Sequence, residues 1–255
     1  MKISLIQTSL AWEDHEVNRQ NFASKINSVP DGTDIIVLPE MFATGFTMAP
    51  ERVAETMDGE TVAWMKKMAA KRNCAITGSL VIKENDNYYN RLLFVTSDGS
   101  IKQYNKRHLF SLAGEDKAYT AGKEKLVVEY KGWKICLLIC YDLRFPVFAR
   151  NIENYDLLLY VANWPQPRIH AWDTLLKARA IENMCYVAGV NRIGQDNNGH
   201  NYPGYSQAVD SLGTNILEPI TNEGIYNVTL NKEALQEVRD KFRFLNDKDS
   251  FILQD

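Results

Sequence analysis

The 255-residue chain is 45% hydrophobic and 24% charged, values of an ordinary globular protein, and a chain this long can bury a sizeable core without disulfide staples. Its net charge of -3 comes from 29 basic and 32 acidic side chains with no basic stripe, which argues against a nucleic-acid partner. The opening MKISLIQTSLAWEDHE is too short in apolar residues for a signal peptide, and no window reaches the roughly 18 apolar residues of a membrane span, so a cytoplasmic protein that meets no membrane is expected.

Residues 2–8 alternate as a strand. Asp14 can cap a helix running to about Ser28, with Val17, Phe22 and Ile26 among its apolar positions, and Pro30-Asp31-Gly32 breaks it. Residues 34–38 read as a short strand buried on both faces. Past a loop at Gly45, a helix is expected near 60–71 and a strand over 75–82. Turns at Asn85-Asp86-Asn87 and Ser97-Asp98-Gly99 lead into strands 88–96 and 101–105. Residues 106–125 have no clear period, and long loops in compact domains tend to be functional or disordered.

The second half follows a similar order. Strand 133–139 precedes a helix near 146–153, strand 157–161, a helix through 171–184 and strand 186–191. Strands 206–210, 216–219 and 225–230 follow, then a helix near 232–242 and a tail of about 243–255. Strands alternating with helices, followed by hairpins, give an α/β sandwich with sheets inside and helices outside, read here as one domain over 1–255.

The cysteines Cys74, Cys136, Cys140 and Cys185 are expected as reduced thiols. Cys136 and Cys140 fall on one strand, about 13 Å apart at roughly 3.3 Å per residue, beyond disulfide reach. No second Cys or His pair stands at zinc-ligand spacing, so no metal is expected.

Ligand sites in α/β folds gather at the carboxyl ends of strands. IIVLPE ends in Glu40, IKQYNKRHLF places Lys106 just past a strand, and KICLLICYDLRFP places Cys140 at the end of an apolar run. Each has a plainer reading: a small buried hydrophobe for Cys140, a helix cap or solvated loop for Glu40, a surface position for Lys106. Asp142 and Arg144 read equally as a local ion pair or as functional groups. A Cys–His pairing through His108 or His170 also stays open. Otherwise His108 is a hydrogen-bonding residue of its loop.

The segments LPEMFATGF, YNKRHLF, ICYDLRFP and YVANWP stand in the order of, and closely resemble, the best-marked segments of the nitrilase superfamily of carbon–nitrogen hydrolases. The resemblance runs from SLIQTSLAW to ARAIEN and beyond, and YDLRFPV, VANWPQPR and the AGE stretch look most like the bacterial omega-amidase branch. It implies a four-layer αββα sandwich, assembly into homodimers or larger homo-oligomers, and neither metal nor organic cofactor. It also implies Cys140 as nucleophile, Glu40 as general base, Lys106 as stabiliser of the tetrahedral intermediate, and Glu115 as a second acid holding the Lys106–Cys140 pair.

The residue types suit the chemistry. An amide is a poor electrophile with a poor leaving group, so catalysis needs a strong nucleophile, a proton carrier and charge stabilisation. A base can take the thiol proton, and an ammonium can face the oxyanion with the backbone N–H of Tyr141. The branch acts on the terminal amide of 2-oxoglutaramate or 2-oxosuccinamate, giving a 2-oxo dicarboxylate and ammonia. For the far carboxylate Arg168 is the first candidate, with Arg144 and Arg107 after it. Asn163 joins Arg168 as a substrate-binding candidate, Trp164, Phe42 and Phe46 are candidate walls, and residues 191–194 and 197–199 are a candidate rim. The alternatives are an amidase for deaminated glutathione or another linear amide, and an inactive scaffold on the same fold.

Overall fold

Two six-stranded sheets lie face to face because each strand carries apolar side chains on both of its faces. In chain order the first half contributes β1 (Lys2–Gln7), α1 (His15–Asn27), β2 (Ile35–Val37), α2 (Pro50–Val53), α3 (Glu60–Arg72), β3 (Ala75–Glu84), β4 (Asn87–Val95), β5 (Ile101–Asn105) and α4 (Glu115–Ala118). The second half adds β6 (Leu126–Tyr130), β7 (Trp133–Ile139), α5 (Pro146–Ala149), β8 (Leu157–Ala162), α6 (Ile169–Asn183), β9 (Tyr186–Asn191), β10 (Ile193–Gln195), β11 (Asn201–Pro203), β12 (Ser206–Val209), β13 (Asn215–Ile220), β14 (Gly224–Thr229) and α7 (Lys232–Phe242). This computed structural model describes residues 1–253; the last two residues of the expected 243–255 tail lie outside the described residues.

The first sheet runs β14-β1-β2-β3-β4-β5 and the second β13-β12-β9-β8-β7-β6. Each has three parallel strands at its centre, β1-β2-β3 in one and β7-β8-β9 in the other, flanked by antiparallel strands. Alternation along β2 sorts the layers. Ile35 and Val37 join a core that includes Ile135 and Leu137 of the other sheet, while Ile36 packs with Phe22 and Ile26 of α1 and Met65 of α3. On the far side Trp172, Leu176 and Ala180, four residues apart along α6, cover the second sheet. The order helix–sheet–sheet–helix is the expected sandwich.

Asp14 caps α1 through its side chain, which accepts from the Val17 N–H at 3.0 Å, and Ser28 closes the helix. The structure corrects one of these expectations and refines two others. Val17 is 48% exposed, because it stands in the first turn of α1, away from the Phe22–Ile26 face. The helix expected near 146–153 is the single turn of α5, which ends where Arg150 returns to extended backbone. The 106–125 stretch is partly ordered as a 3-10 turn, Ser111–Ala113, and α4. Strand β6 and the β10–β11 hairpin are additional elements. Among the described residues no helix is long and apolar enough to cross a membrane.

Candidate active site

Glu40 follows β2, Lys106 follows β5, Cys140 follows β7 and Asn163 follows β8, so strands of both sheets deliver polar groups to one point. Chain reversal there uses left-handed backbone: φ is 43° at Met41 and 43° at Cys140. For residues other than glycine that conformation costs about 1–2 kcal/mol. Its presence at Cys140 aims the side chain out of the strand and opens a 3-10 turn, Cys140–Arg144. The first N–H groups of such a turn, Tyr141 among them, have no acceptor within it.

Lys106 Nζ lies 2.9 Å from Glu40 Oε1 and 3.0 and 2.9 Å from the two oxygens of Glu115, all three groups being buried. Its three donors are thereby engaged. Burial opposes its charge, but the carboxylates of Glu115 and Glu40 outweigh that and hold its pKa above the ordinary lysine value. Burial keeps the Glu115 carboxyl above its usual range despite the pull of Lys106. Glu115 is fixed further by the Phe110 N–H at 2.6 Å. Glu40 accepts from Asn90 Nδ2 at 2.8 Å and from the Asn163 N–H at 2.9 Å, and its carbonyl accepts from Asn163 Nδ2 at 2.7 Å.

The Cys140 thiol points to the Asn163 carbonyl, 3.9 Å away. Burial, and then the negative charge of Glu40, push its pKa well above the ordinary thiol range, against the pull of Lys106. The sulfur is therefore a protonated thiol at neutral pH, and it needs a base at the moment of attack. The charged groups that act most strongly on it are Glu40, Lys106 and Glu115. His108 instead bonds to Asp142, at 2.7 Å, and His170 is exposed.

A cavity of about 640 Å³ opens above this cluster, with Lys106, Cys140 and Asn163 in its wall. Glu40 and Glu115 are wholly buried beneath that wall. Tyr141, Phe46, Trp164, Arg144 and Arg168 also line it. Arg168 lies over the Phe110 ring at 4.9 Å, and Arg144 over Trp164 at 5.3 Å. Neither guanidinium has a carboxylate partner among the described residues, whereas Arg52, also at the cavity, is bound to Glu13 at 2.6 Å. Trp164 Nε1 donates to the Arg168 carbonyl at 2.7 Å, and Asn191 bonds both the N–H and the carbonyl of Trp164, which fixes the shelf. Asn198, of the expected rim, lines the cavity with Asp196, His200 and Tyr202 of the hairpin region.

Some candidates fall elsewhere. Phe42, expected as a wall, is wholly buried between Phe22 and Trp64 and against Gly78, where an added Cβ would stand 3.0 Å from its ring. It follows Met41, where the turn sends it into the helix-facing core. Arg107 turns to the Lys123 carbonyl and the Phe148 ring and is not in the cavity wall. Asp142 makes no ion pair with Arg144; it faces inward to Tyr104 and His108. Asn90 escaped the sequence reading. It bonds Glu40 and also Glu115, at 3.2 Å, and its signal is an amide inside the buried half of β4.

The carbon-nitrogen hydrolase family matches residues 2–240. The omega-amidase YafV of Yersinia enterocolitica is 45% identical over 256 residues, covering 99% of this chain and 98% of that protein. The 2-oxoglutaramate amidase of Bacillus subtilis (strain 168) is 34% identical over 250 residues, covering 96% of each. A CN-hydrolase superfamily protein of Xanthomonas campestris, solved with an arsenic adduct in its active site, superimposes with a TM-score of 0.97 at 45% identity, covering 100% of this chain and 99% of that one.

Proposed function

Since the chain belongs to the carbon–nitrogen hydrolase family, we propose that it is an omega-amidase, which hydrolyses the terminal amide of a short 2-oxo dicarboxylic monoamide such as 2-oxoglutaramate or 2-oxosuccinamate. One observation carries this reading: a buried Glu40–Lys106–Glu115 cluster beside the Cys140 thiol, under a cavity with two guanidiniums that have no carboxylate partner among the described residues.

Cys140 Sγ attacks the amide carbon as its proton passes to Glu40. Lys106 and the Tyr141 N–H hold the oxyanion, so Lys106 trades part of its contact with the carboxylates for the developing charge. Glu40 returns the proton to the nitrogen, the C–N bond breaks, and ammonia leaves a thioester on Cys140. Glu40 then takes a proton from water, the hydroxide adds to the thioester carbon, and the acid departs as the thiol is regenerated. Glu115 keeps Lys106 charged and in place. Asn163, whose N–H and amide hold Glu40, lines the pocket beside the amide group. Arg168, with Arg144 beside it, takes the far carboxylate. Trp164 and Phe46 wall the pocket.

The same cavity volume leaves space beyond a five-carbon chain, which supports a second reading, an amidase for a longer acid such as deaminated glutathione. Four unpaired, buried cysteines support a reducing, cytoplasmic setting. Exposed Ile181, Leu212 and Ile216 support assembly with further copies. Ammonia release from 2-oxoglutaramate, 2-oxosuccinamate, deaminated glutathione and a neutral amide tests the assignment. The two short oxo acids are expected to lead the panel and Cys140→Ala to release no ammonia. A preference for the neutral amide, or activity in Cys140→Ala, overturns it.

A further inference from the structure

Asp142 is wholly buried two residues beyond the thiol, and it has no part in the reaction described above. Its carboxylate collects four donors. Oδ2 accepts from the Ile139 N–H at 2.9 Å and from the Tyr104 hydroxyl at 2.8 Å. Oδ1 accepts from the His108 N–H at 3.1 Å and from His108 Nδ1 at 2.7 Å. Ile139 is the last residue of β7, directly before Cys140, while Tyr104 and His108 stand two residues to either side of Lys106. The Tyr104 hydroxyl also accepts from the Arg107 N–H at 3.0 Å. The side chain of Tyr104 before Lys106 and the backbone N–H of His108 after it are thus tied to the turn that carries Cys140. A second tie runs alongside, because the His108 ring stacks parallel on Phe145 at 3.7 Å.

We infer that Asp142 is a positioning residue: through Tyr104 and His108 it sets the separation of Lys106 from Cys140, two groups carried on different sheets. This rests on the roles given above to Lys106 and Cys140. The physical need is specific. Lys106 must be close enough to the sulfur's target to meet an oxygen that bears charge only during reaction, yet its backbone bonds, from its N–H to the Asn90 carbonyl and from the Gly122 N–H to its carbonyl, both at 2.9 Å, do not reach the turn that carries Cys140. A carboxylate filled with donors from both segments fixes that gap without touching the substrate. Tyr104 is suited to the task, since burial and the adjacent Asp142 raise its pKa and keep its proton available to donate.

Steady-state kinetics on the amide that the wild-type enzyme turns over, with the rate of Cys140 alkylation by iodoacetamide, test the inference. Displacement of a catalytic group by about 1 Å is worth on the order of 100-fold in rate, so Asp142→Asn is expected to lower kcat about 100-fold and to leave KM within about threefold. Alkylation forms no oxyanion and should keep its rate within about threefold. Tyr104→Phe, which keeps the ring in the core, should lower kcat about tenfold in the same pattern, the loss of one of several hydrogen bonds to a charged group. His108→Asn, which retains a side-chain N–H donor, should keep more kcat than His108→Ala. A folded Asp142→Asn with near wild-type kcat overturns the inference. So does loss of kcat, KM and alkylation together, the mark of general collapse; should Asp142→Asn fail to fold, Tyr104→Phe decides. Ammonia release by Cys140→Ala would instead sink the catalytic assignment, a result distinct from any of these.

Discussion

The floor and the mouth of the cavity treat charge in opposite ways. On the floor every donor of Lys106 is engaged, Glu40 and Glu115 accept from backbone and amide groups as well, and all three side chains are out of solvent. At the mouth Arg144 and Arg168 rest on aromatic rings and have no carboxylate partner among the described residues. The first arrangement fixes the reacting groups before substrate arrives, so that little reorganisation remains for the chemical step. The second leaves charge available for a ligand to complete. Catalysis and selection are thus built from different electrostatic states within one cavity, and mutation should separate them.

The largest effect belongs to the floor. Glu40→Gln removes the base that the protonated thiol requires, and kcat should fall about 1,000- to 10,000-fold while substrate affinity holds, as read by steady-state kinetics and by equilibrium binding to the Cys140→Ala protein. Lys106→Ala should follow at about 100- to 1,000-fold in kcat, the usual loss for an oxyanion donor. Equal damage to KM in either variant would merge floor and mouth into one function. Arg168→Gln tests the opposite side: KM for 2-oxoglutaramate should rise about 10- to 100-fold, the worth of a hydrogen bond to a charged group, with kcat little changed and neutral amides unaffected.

The smallest effect sharpens the account of the floor. Because the Cys140 pKa is raised, the thiolate fraction at a given pH is depressed, and it grows as pH approaches that pKa from below. Alkylation of the free enzyme should therefore speed up about tenfold per pH unit from pH 7 upward. A rate that has already levelled off at pH 7 would mean a standing thiolate, leaving Glu40 without its first task.

Much of this was legible in the sequence where polar groups end apolar strands. Glu40, Lys106 and Cys140 stand where strands end, but each also had a plainer reading there, and it was the resemblance of LPEMFATGF, YNKRHLF and ICYDLRFP to nitrilase-superfamily segments that implied their roles. The sandwich followed from strand–helix alternation. What could not be read depended on direction within a turn or on partners far away in the chain. Phe42 and Phe46 look alike in ATGF-type loop sequence, yet the turn sends one into the core and the other to the cavity. Asn90 has meaning only beside Glu40, 50 residues away in sequence. Strand β6 was readable in principle, since Lys131-Gly132, with φ of 47° and 75°, is a two-residue hairpin turn between LVVEY and WKICLLI. The single turn of α5 was not, because its length is set by packing rather than by its apolar pattern.

The left-handed backbone at Cys140 bears on how such an enzyme can decay. A glycine would occupy that position with less backbone strain than the residue found there. The nucleophile is kept against a local preference of the chain. In a lineage released from selection for turnover, the backbone at this residue would not oppose a chemically silent glycine.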